Sequence, residues 1–530
     1  MTMTKRMGTK TNVILDESRL REIVDYFLTQ PAFAFDVESQ GEHRGVCHKN
    51  DVTWMSMATE GTAVVIPFGH PIGTKVISRH QDPRLCTDGK TRKYWVDDYE
   101  EPPKQIPRET VFEILRPLFF NELIIKSAHG AVFDIASTAK YWGEVMPGPY
   151  NDTIIQSWLL DENRNRHGLK YITKEMFGFT YDNEEVGRRI ETYPFDLVAH
   201  YSHCDAWFAW LFYKRFYPLV EAEGLTRVYE LEMDVLNTLV GMRLAGSHVD
   251  VARLKELKTE LADKRELVKA ELMDRAGQEF NPNSPKQKQA ILFGSKREGG
   301  QGLKPWKPTD SGKKAKKLGQ ECTSWSTDDE VLESYPTNPV AQSLREYQEV
   351  NKLLSTYVLA YLGNPEKDKA TQIYDERIHA EFVQYGTTTR RFSCRDPNLQ
   401  NIPRPGTEYG TLIRGVWDTE PGWKLIVGDY GQVELVVFAH FCGRGALFDG
   451  FWDGADPHQL TADKVGIERQ LAKTLNFSMS YGAGMYKVSS MLGVDVATGA
   501  VILDDHKREF PEIYDLKDQI IDLCRSRKPP

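Results

Sequence analysis

Two carboxylates at the end of an apolar run are the first residues with the spacing of a reactive site. In Ala32-Phe33-Ala34-Phe35-Asp36-Val37-Glu38 the two-residue period of an extended strand puts Asp36 and Glu38 on one face, where their oxygens can share a hard divalent cation. A D-x-E pair by itself is commonly just a polar strand end, so its company decides its meaning. Asp134 follows in His129-Gly130-Ala131-Val132-Phe133-Asp134, and Tyr201 and Asp205 stand four apart in Tyr201-Ser202-His203-Cys204-Asp205, the spacing that brings two side chains together on one helix face. Four carboxylates and a phenol suit phosphodiester hydrolysis by two metal ions about 4 Å apart, with a water activated on one side and the leaving oxygen stabilised on the other. Tyr201 would orient that water. An all-oxygen donor set fits Mg2+ or Mn2+ better than zinc, so two such ions per site are expected.

A second group lies far downstream. Arg469, Lys473, Phe477 and Tyr481 recur every fourth residue in RQLAKTLNFSMSYG and therefore stack along one side of a helix. Arg and Lys in that array would hold triphosphate oxygens and neutralise charge developing during phosphoryl transfer, with Phe477 packing on a sugar and base and Tyr481 stacking near a template base. Leu425-Ile426-Val427-Gly428-Asp429 reads as an apolar strand ending in a carboxylate. Between the two groups, a Gly- and Pro-punctuated stretch from Gly294 to Gln320 includes Lys313, Lys314, Lys316 and Lys317 with few acids, which reads as a flexible basic loop suited to a phosphate backbone.

Taken in order, D-x-E, then H-x3-F-D, then Y-x3-D, with Asp152-Thr153 and His167-Gly168-Leu169-Lys170 between them, resemble the proofreading exonuclease of family-A DNA polymerases. The resemblance implies Asp36, Glu38, Asp134 and Asp205 as metal ligands and Tyr201 as the water-orienting residue. Gly130 stands where the family often has Asn. From Phe280 onward the chain resembles the family's polymerase domain, through FNPNSPKQKQAILFG, STDDEVLESYP, NKLLSTYV, TTTRRFS, PNLQNIP, DYGQVEL and R-x3-K-x3-F-x3-YG. That likeness implies that Arg391 and Gln400 follow the primer–template minor groove, that Asp429 binds both catalytic metals with the Tyr430 carbonyl on one of them, and that Glu434 crowds out a ribose 2′-hydroxyl. It also implies that Phe477 discriminates against dideoxynucleotides and that His458 precedes the fingers helix. Arg390 replaces the family's usual Gly, and Gly431 its usual Ser.

The family's second palm carboxylate comes from an H-D-E segment, and none follows Tyr481. Asp504-Asp505-His506 falls in a helical region and is no substitute. The expectation is a polymerase fold truncated at its C-terminus, with a second polypeptide supplying the rest of the palm. A stand-alone 3′→5′ exonuclease and a non-catalytic primer–template binding protein are the alternatives.

Elements must position these residues. The 530 residues, 40% hydrophobic and 27% charged, leave room for several cores. Up to residue 220, β-rich runs alternate with helical ones, an α/β pattern in which the resemblance implies a ribonuclease H-like exonuclease domain. Residues 221–320 read as a thumb-like helical region with the basic loop, 321–440 as a partial palm and 441–530 as fingers, together an α+β right-hand polymerase domain. Leu344, Tyr347, Val350, Leu354 and Tyr357 form a stripe expected to be core. The net charge of −9 leaves primer–template DNA and dNTPs to local basic patches. Seven widely spaced cysteines without a C-x-x-C pair argue against a disulfide framework or a zinc site, and no run of about 18 apolar residues suggests a membrane span. With no 5′-nuclease domain ahead of the exonuclease, a phage protein in a host bacterial cytoplasm is the expectation.

Overall fold

The computed structural model describes residues 11–41, 46–85, 91–164, 166–181, 186–364, 370–406 and 408–526. It divides into two compact units, Met1–Trp423 and Lys424–Pro530.

The first unit begins with helix α1 (Glu17–Leu28), whose cap Asp16 accepts from the backbone N–H groups of Ser18 and Arg19 at 2.9 and 3.1 Å. Strands β1 (Ala32–Gln40), β2 (Asp51–Thr59), β3 (Thr62–Pro67), β6 (Ile125–Ala128) and β7 (Tyr150–Asp152) make one sheet in the order β3-β2-β1-β6-β7. β4 (Val76–Leu85) and β5 (Thr91–Tyr99) form a separate hairpin. β1 pairs antiparallel with β2 and parallel with β6.

β1 is central and covered on both faces, which explains its near-continuous apolar run. Phe33 and Phe35 point to one side, where each ring lies 5.2 Å edge-on from Phe119 of α2 (Arg108–Phe119). Ala32 and Ala34 point to the other side and pack with Ala58 against Ala206, Ala209 and Trp210 of the long helix α6 (Phe195–Ala222). Between α2 and α6 come α3 (Ala131–Trp142), α4 (Thr153–Leu160) and α5 (Leu169–Phe177). The alanines matter because residues without bulk let α6 approach the strand closely. By the same alternation Asp36 and Glu38 share the face of Ala32 and Ala34, the face that α6 covers.

Helices α7 (Thr226–Ala245) and α8 (Val251–Ala276) follow. The basic stretch after them is not a flexible loop throughout. Lys313, Lys314, Lys316 and Lys317 lie on a helix, α9 (Asp310–Lys317), because Thr309 caps it by accepting from the Gly312 N–H at 3.2 Å and Ala and Lys are strong helix formers. Gly312 sits so close to its neighbours that a Cβ there would fall 2.4 Å from the Ser324 carbonyl oxygen. The stripe Leu344, Tyr347, Val350, Leu354 and Tyr357 is buried as expected, although α10 (Pro339–Lys352) passes into a π-turn at Leu353–Val358 midway along it. Leu344 and Tyr347 meet Val268 and Leu272 of α8, and Val350, Leu354 and Tyr357 meet Leu254, Leu257 and Leu261. Short strands β8 (Glu381–Val383) and β9 (Ser393–Arg395) pair antiparallel beyond it.

The second unit is helical: α11 (Val433–Cys442), α12 (Pro457–Val465), α13 (Arg469–Ser480), α14 (Val496–Glu509) and α15 (Pro511–Ser526), among shorter helices, enclose a core that includes Leu475, Met479, Val488, Phe510 and Ile513. The strand expected to run into Asp429 is absent. Leu425, Ile426 and Val427 are 64%, 94% and 92% exposed, and no strand is assigned to 424–432. A strand exists through its ladder, and no described strand pairs with this segment. No disulfide forms among the described cysteines, and Cys86 lies outside the described residues. No single described helix is long and apolar enough to cross a membrane.

Candidate active site

The acidic site lies where the end of β1 meets α6. Asp36, Glu38 and Asp205 each offer an oxygen, all within 4.8 Å of one another. Strand alternation supplies the first two, and a helix packed close across the alanine face supplies the third. Tyr201, one turn before Asp205, is buried with it. Asp134 enters from the first turn of α3, where its Oδ1 accepts the backbone N–H of Val37 at 3.1 Å. That bond ties the start of α3 to the middle of β1.

Burial sets the electrostatics. Asp36 is pushed up to about 8, first by burial and then by the charge of Asp205. Glu38 rises well above the usual carboxylate range through burial and the charge of Asp36, and Asp134 rises for the same two reasons. Desolvation next to like charges is an arrangement that a bound cation would relieve. Asp36 Oδ2 and Glu38 Oε1 are buried without a hydrogen-bond partner, and such atoms are costly unless something satisfies them. An all-oxygen donor set with two orphaned carboxylate oxygens fits Mg2+ or Mn2+.

The loop before α3 is held by polar capping. Asp152, at the start of α4, accepts from the N–H groups of Gly130, Ala131 and Ile154 at 3.1, 2.8 and 2.8 Å. Gly130 has φ +99°, a conformation that favours Gly, which accounts for the residue at this position. His129 contacts Thr153 Oγ1 at 2.7 Å and the His167 carbonyl oxygen at 2.9 Å. Burial pulls it down to about 3, so it is neutral, and with both ring nitrogens engaged by these partners it serves as a support.

Two residues that motif spacing did not single out complete the site. Lys170, at the start of α5, donates to Asp205 Oδ2 at 2.7 Å and to the Tyr201 hydroxyl at 2.8 Å. The Tyr181 hydroxyl donates to Asp205 Oδ1. Lys170 belongs to a recognisable segment that carried no assigned role, and Tyr181 lies in FGFTYDNEE, where no periodic pattern marks it. Beside them opens a cleft of about 1030 Å³, lined by Arg164, Arg166, Lys170, Lys174, Thr387 and Arg395 among others.

In the second unit, Arg469, Lys473 and Phe477 stand on successive turns of α13, and Tyr481 follows as its C-terminal cap. Arg469 pairs with Asp456 at 2.6 Å, and Asp456 also caps α12 by accepting from the His458 N–H at 2.8 Å. The Phe477 ring centre lies 5.8 Å from that of His458. The Tyr481 hydroxyl donates to Glu434 Oε2 at 3.1 Å, so α11 and α13 present these residues together. Asp429 and Tyr430 stand on the exposed segment ahead of α11, with Tyr430 81% exposed.

A family model described as DNA polymerase family A matches residues 251–529, and one described as 3′-5′ exonuclease matches residues 11–221. The chain belongs to DNA polymerase family A. It is similar to DNA polymerase I of Treponema pallidum (strain Nichols), 28% identical over 97% of this chain and 51% of that protein, and to DNA polymerase I of Rhizobium leguminosarum, 32% identical over 80% of this chain and 41% of that protein. The chain spans about half the length of these curated relatives. A solved structure, the POL domain of Pol1 from M. smegmatis in complex with DNA primer-template and dNTP, shares the fold with a TM-score of 0.68, 20% identity, and coverage of 97% of this chain and 79% of that one.

In this family-A chain the remaining residues named from sequence lie in the first unit. Gln400 donates from Nε2 to the Phe392 carbonyl at 3.1 Å, and Arg391 is exposed just before β9. Arg390, in the position of the family's usual Gly, keeps a left-handed backbone with φ +59°, and its guanidinium carbon lies 5.5 Å from the centre of the Trp158 ring. On α9, Lys313 pairs with Asp310 at 2.9 Å and Lys316 lies over Trp325.

Proposed function

We propose that this chain degrades DNA from the 3′ end at the cluster of Asp36, Glu38, Asp134 and Asp205, as the proofreading part of a family-A polymerase. The observation that carries the reading is the meeting of Asp36, Glu38 and Asp205 oxygens within 4.8 Å with Tyr201 one helical turn from Asp205. These carboxylates would hold two Mg2+ or Mn2+ ions, which when bound lower the pKa of water and stabilise the leaving oxygen. Tyr201 directs its hydroxyl into the site and orients the attacking water. Arg164, Arg166 and Lys174 line the adjoining cleft and would hold the phosphates of the strand being shortened. The test is the double substitution Asp36→Ala/Glu38→Ala: degradation of a labelled primer with Mg2+ stops while primer–template binding persists. Unchanged degradation rejects the assignment, and no degradation by the wild-type chain would favour a binding protein without catalysis.

A second reading is favoured by the array on α13 and the exposed run before Asp429. Arg469 and Lys473 would bind the dNTP triphosphate, Phe477 and Tyr481 its sugar and the template base, and Glu434 would exclude a ribose 2′-hydroxyl. Asp429 and the Tyr430 carbonyl would be the metal ligands for nucleotidyl transfer. In this reading residues 221–320 act as thumb, 321–440 as partial palm and 441–530 as fingers, beside a ribonuclease H-like exonuclease over 1–220. Leu425, Ile426 and Val427, exposed here, would be covered by a strand from a further segment carrying the second palm carboxylate. Arg391 and Gln400 would follow the primer–template minor groove, and the α9 lysines Lys313, Lys314, Lys316 and Lys317 the phosphate backbone, so that binding weakens steeply with salt. Primer extension by this chain alone tests this reading: degradation without extension supports the need for that further segment, and robust extension rejects it.

A further inference from the structure

We propose that Lys170 is the stand-in cation of the carboxylate cluster, neutralising Asp205 in the metal-free protein and surrendering that oxygen when a divalent cation enters. The inference rests on the nuclease reading above and deepens it by making metal affinity depend on a lysine as well as on acids.

Asp205 differs from its neighbours in one respect. Its Oδ1 accepts from Tyr181 and its Oδ2 from Lys170, whereas Asp36 Oδ2 and Glu38 Oε1 have no hydrogen-bond partner. The carboxylate that a shared ion must recruit from α6 is thus the one already held by protein donors. Lys170 comes from neither the strand nor the helix that carries the acids. It reaches in from α5, with its ammonium nitrogen 4.4 Å from the Tyr201 ring centre and 5.7 Å from that of Tyr181, two aromatic faces that favour a cation.

A monovalent and a divalent cation cannot both sit against Asp205 Oδ2 without strong repulsion, since screening inside a buried site is weak. Lys170 has somewhere to go. Its side chain is 29% exposed, against 3% for Asp205, and it also lines the basic cleft with Arg166 and Lys174. Withdrawal would carry the ammonium toward that cleft, where the phosphates of a bound strand would receive it. A purely structural ion pair would behave otherwise: its loss would destabilise the protein without tightening metal binding.

Mn2+ titration of the full chain by calorimetry at pH 9, where protons compete least, tests the proposal. Lys170→Met should bind Mn2+ about tenfold more tightly than wild type, as expected for loss of one charge-assisted bond on the ligand, and should melt earlier without metal but show a larger rise in Tm on adding it. Lys170→Arg should stay near wild type. Equal or weaker binding in Lys170→Met overturns the proposal. A wild-type isotherm that Asp36→Ala/Glu38→Ala leaves unchanged overturns the metal site itself, which is a different failure. A crystal structure of the wild-type chain with Mn2+ needs no variant: Lys170 Nζ should lie beyond hydrogen-bond distance of Asp205 Oδ2, and a retained bond would refute the exchange.

Discussion

The Tyr181 hydroxyl donates a hydrogen bond to Oδ1 of Asp205, and the Tyr181 ring stacks on Phe208 with centres 5.6 Å apart. The ring contact and the hydroxyl contact can be separated. Tyr181→Phe keeps the stack and leaves a buried carboxylate oxygen without its donor, which should cost about 1–3 kcal/mol in folding stability. Because partners of metal ligands tune the site, degradation of a single-stranded primer should slow about tenfold or more. Denaturant unfolding and a primer-degradation time course measure the two effects, and wild-type values in both would show that the hydroxyl does not hold Asp205.

Gly187 is the wall behind Tyr201. A Cβ at that position would lie 2.5 Å from the Tyr201 hydroxyl oxygen, so Gly187→Ala should displace the phenol and reduce degradation. Tyr201→Phe should do likewise. If the glycine acts only through the tyrosine, the double variant loses no more than Tyr201→Phe alone, a coupling that a double-mutant cycle reads directly. Additive losses would mean that Gly187 acts elsewhere.

The contribution of the acidic cluster to the stability of the metal-free chain should fall with rising pH across the acidic and neutral range, opposite in sign to that of the buried histidines, such as His70 and His506, whose folded pKa is lowered. Asp36 is raised to about 8, and Glu38 and Asp134 are raised as well, whereas the unfolded chain releases such protons near pH 4. The folded state therefore binds more protons between those limits, and the stability it gains, greatest below about pH 4, is lost as pH climbs toward about 8. A divalent cation acts in the opposite sense because it needs the ionised carboxylates. Melting in EDTA from pH 5 to 9 should show the stability of wild type relative to Asp36→Asn falling as pH rises, and Mn2+ should raise Tm more at pH 8.5 than at pH 6. Identical slopes for wild type and Asp36→Asn would contradict the raised value.

Arg390 combines a left-handed backbone with a guanidinium near Trp158. Both Arg390→Gly and Arg390→Ala remove the ring contact, but only Gly relieves the backbone. Gly should therefore be more stable than Ala by about 1 kcal/mol. Chemical unfolding of the pair settles the order, and a more stable Ala variant would mean that the turn is not left-handed in solution.

Much of the acidic site was legible because local periodicity created it. Asp36 and Glu38 share a face by strand alternation, Tyr201 and Asp205 by helix spacing, and Arg469, Lys473 and Phe477 by the same rule. The Leu344 to Tyr357 stripe was equally local. What escaped was non-periodic. Lys170 and Tyr181 reach Asp205 across 35 and 24 residues of sequence, and such contacts have no short-range signature. The strand expected before Asp429 failed for a related reason, since apolar composition supplies a strand's side chains but not the neighbouring ladder that makes it one.

By itself, then, the sequence determined which residue types recur at which spacing, and with them the family, the four carboxylates and the helical array of Arg469, Lys473 and Phe477. Tertiary structure alone decided that Ala32 and Ala34 admit α6 closely enough to bring Asp205 to Asp36 and Glu38, that burial raises these acids, and that Lys170 and Tyr181 occupy both oxygens of Asp205. The physical reason is range: spacing along a chain fixes the direction of side chains within an element, whereas charge, burial and hydrogen bonding depend on distances that exist only once the elements have packed.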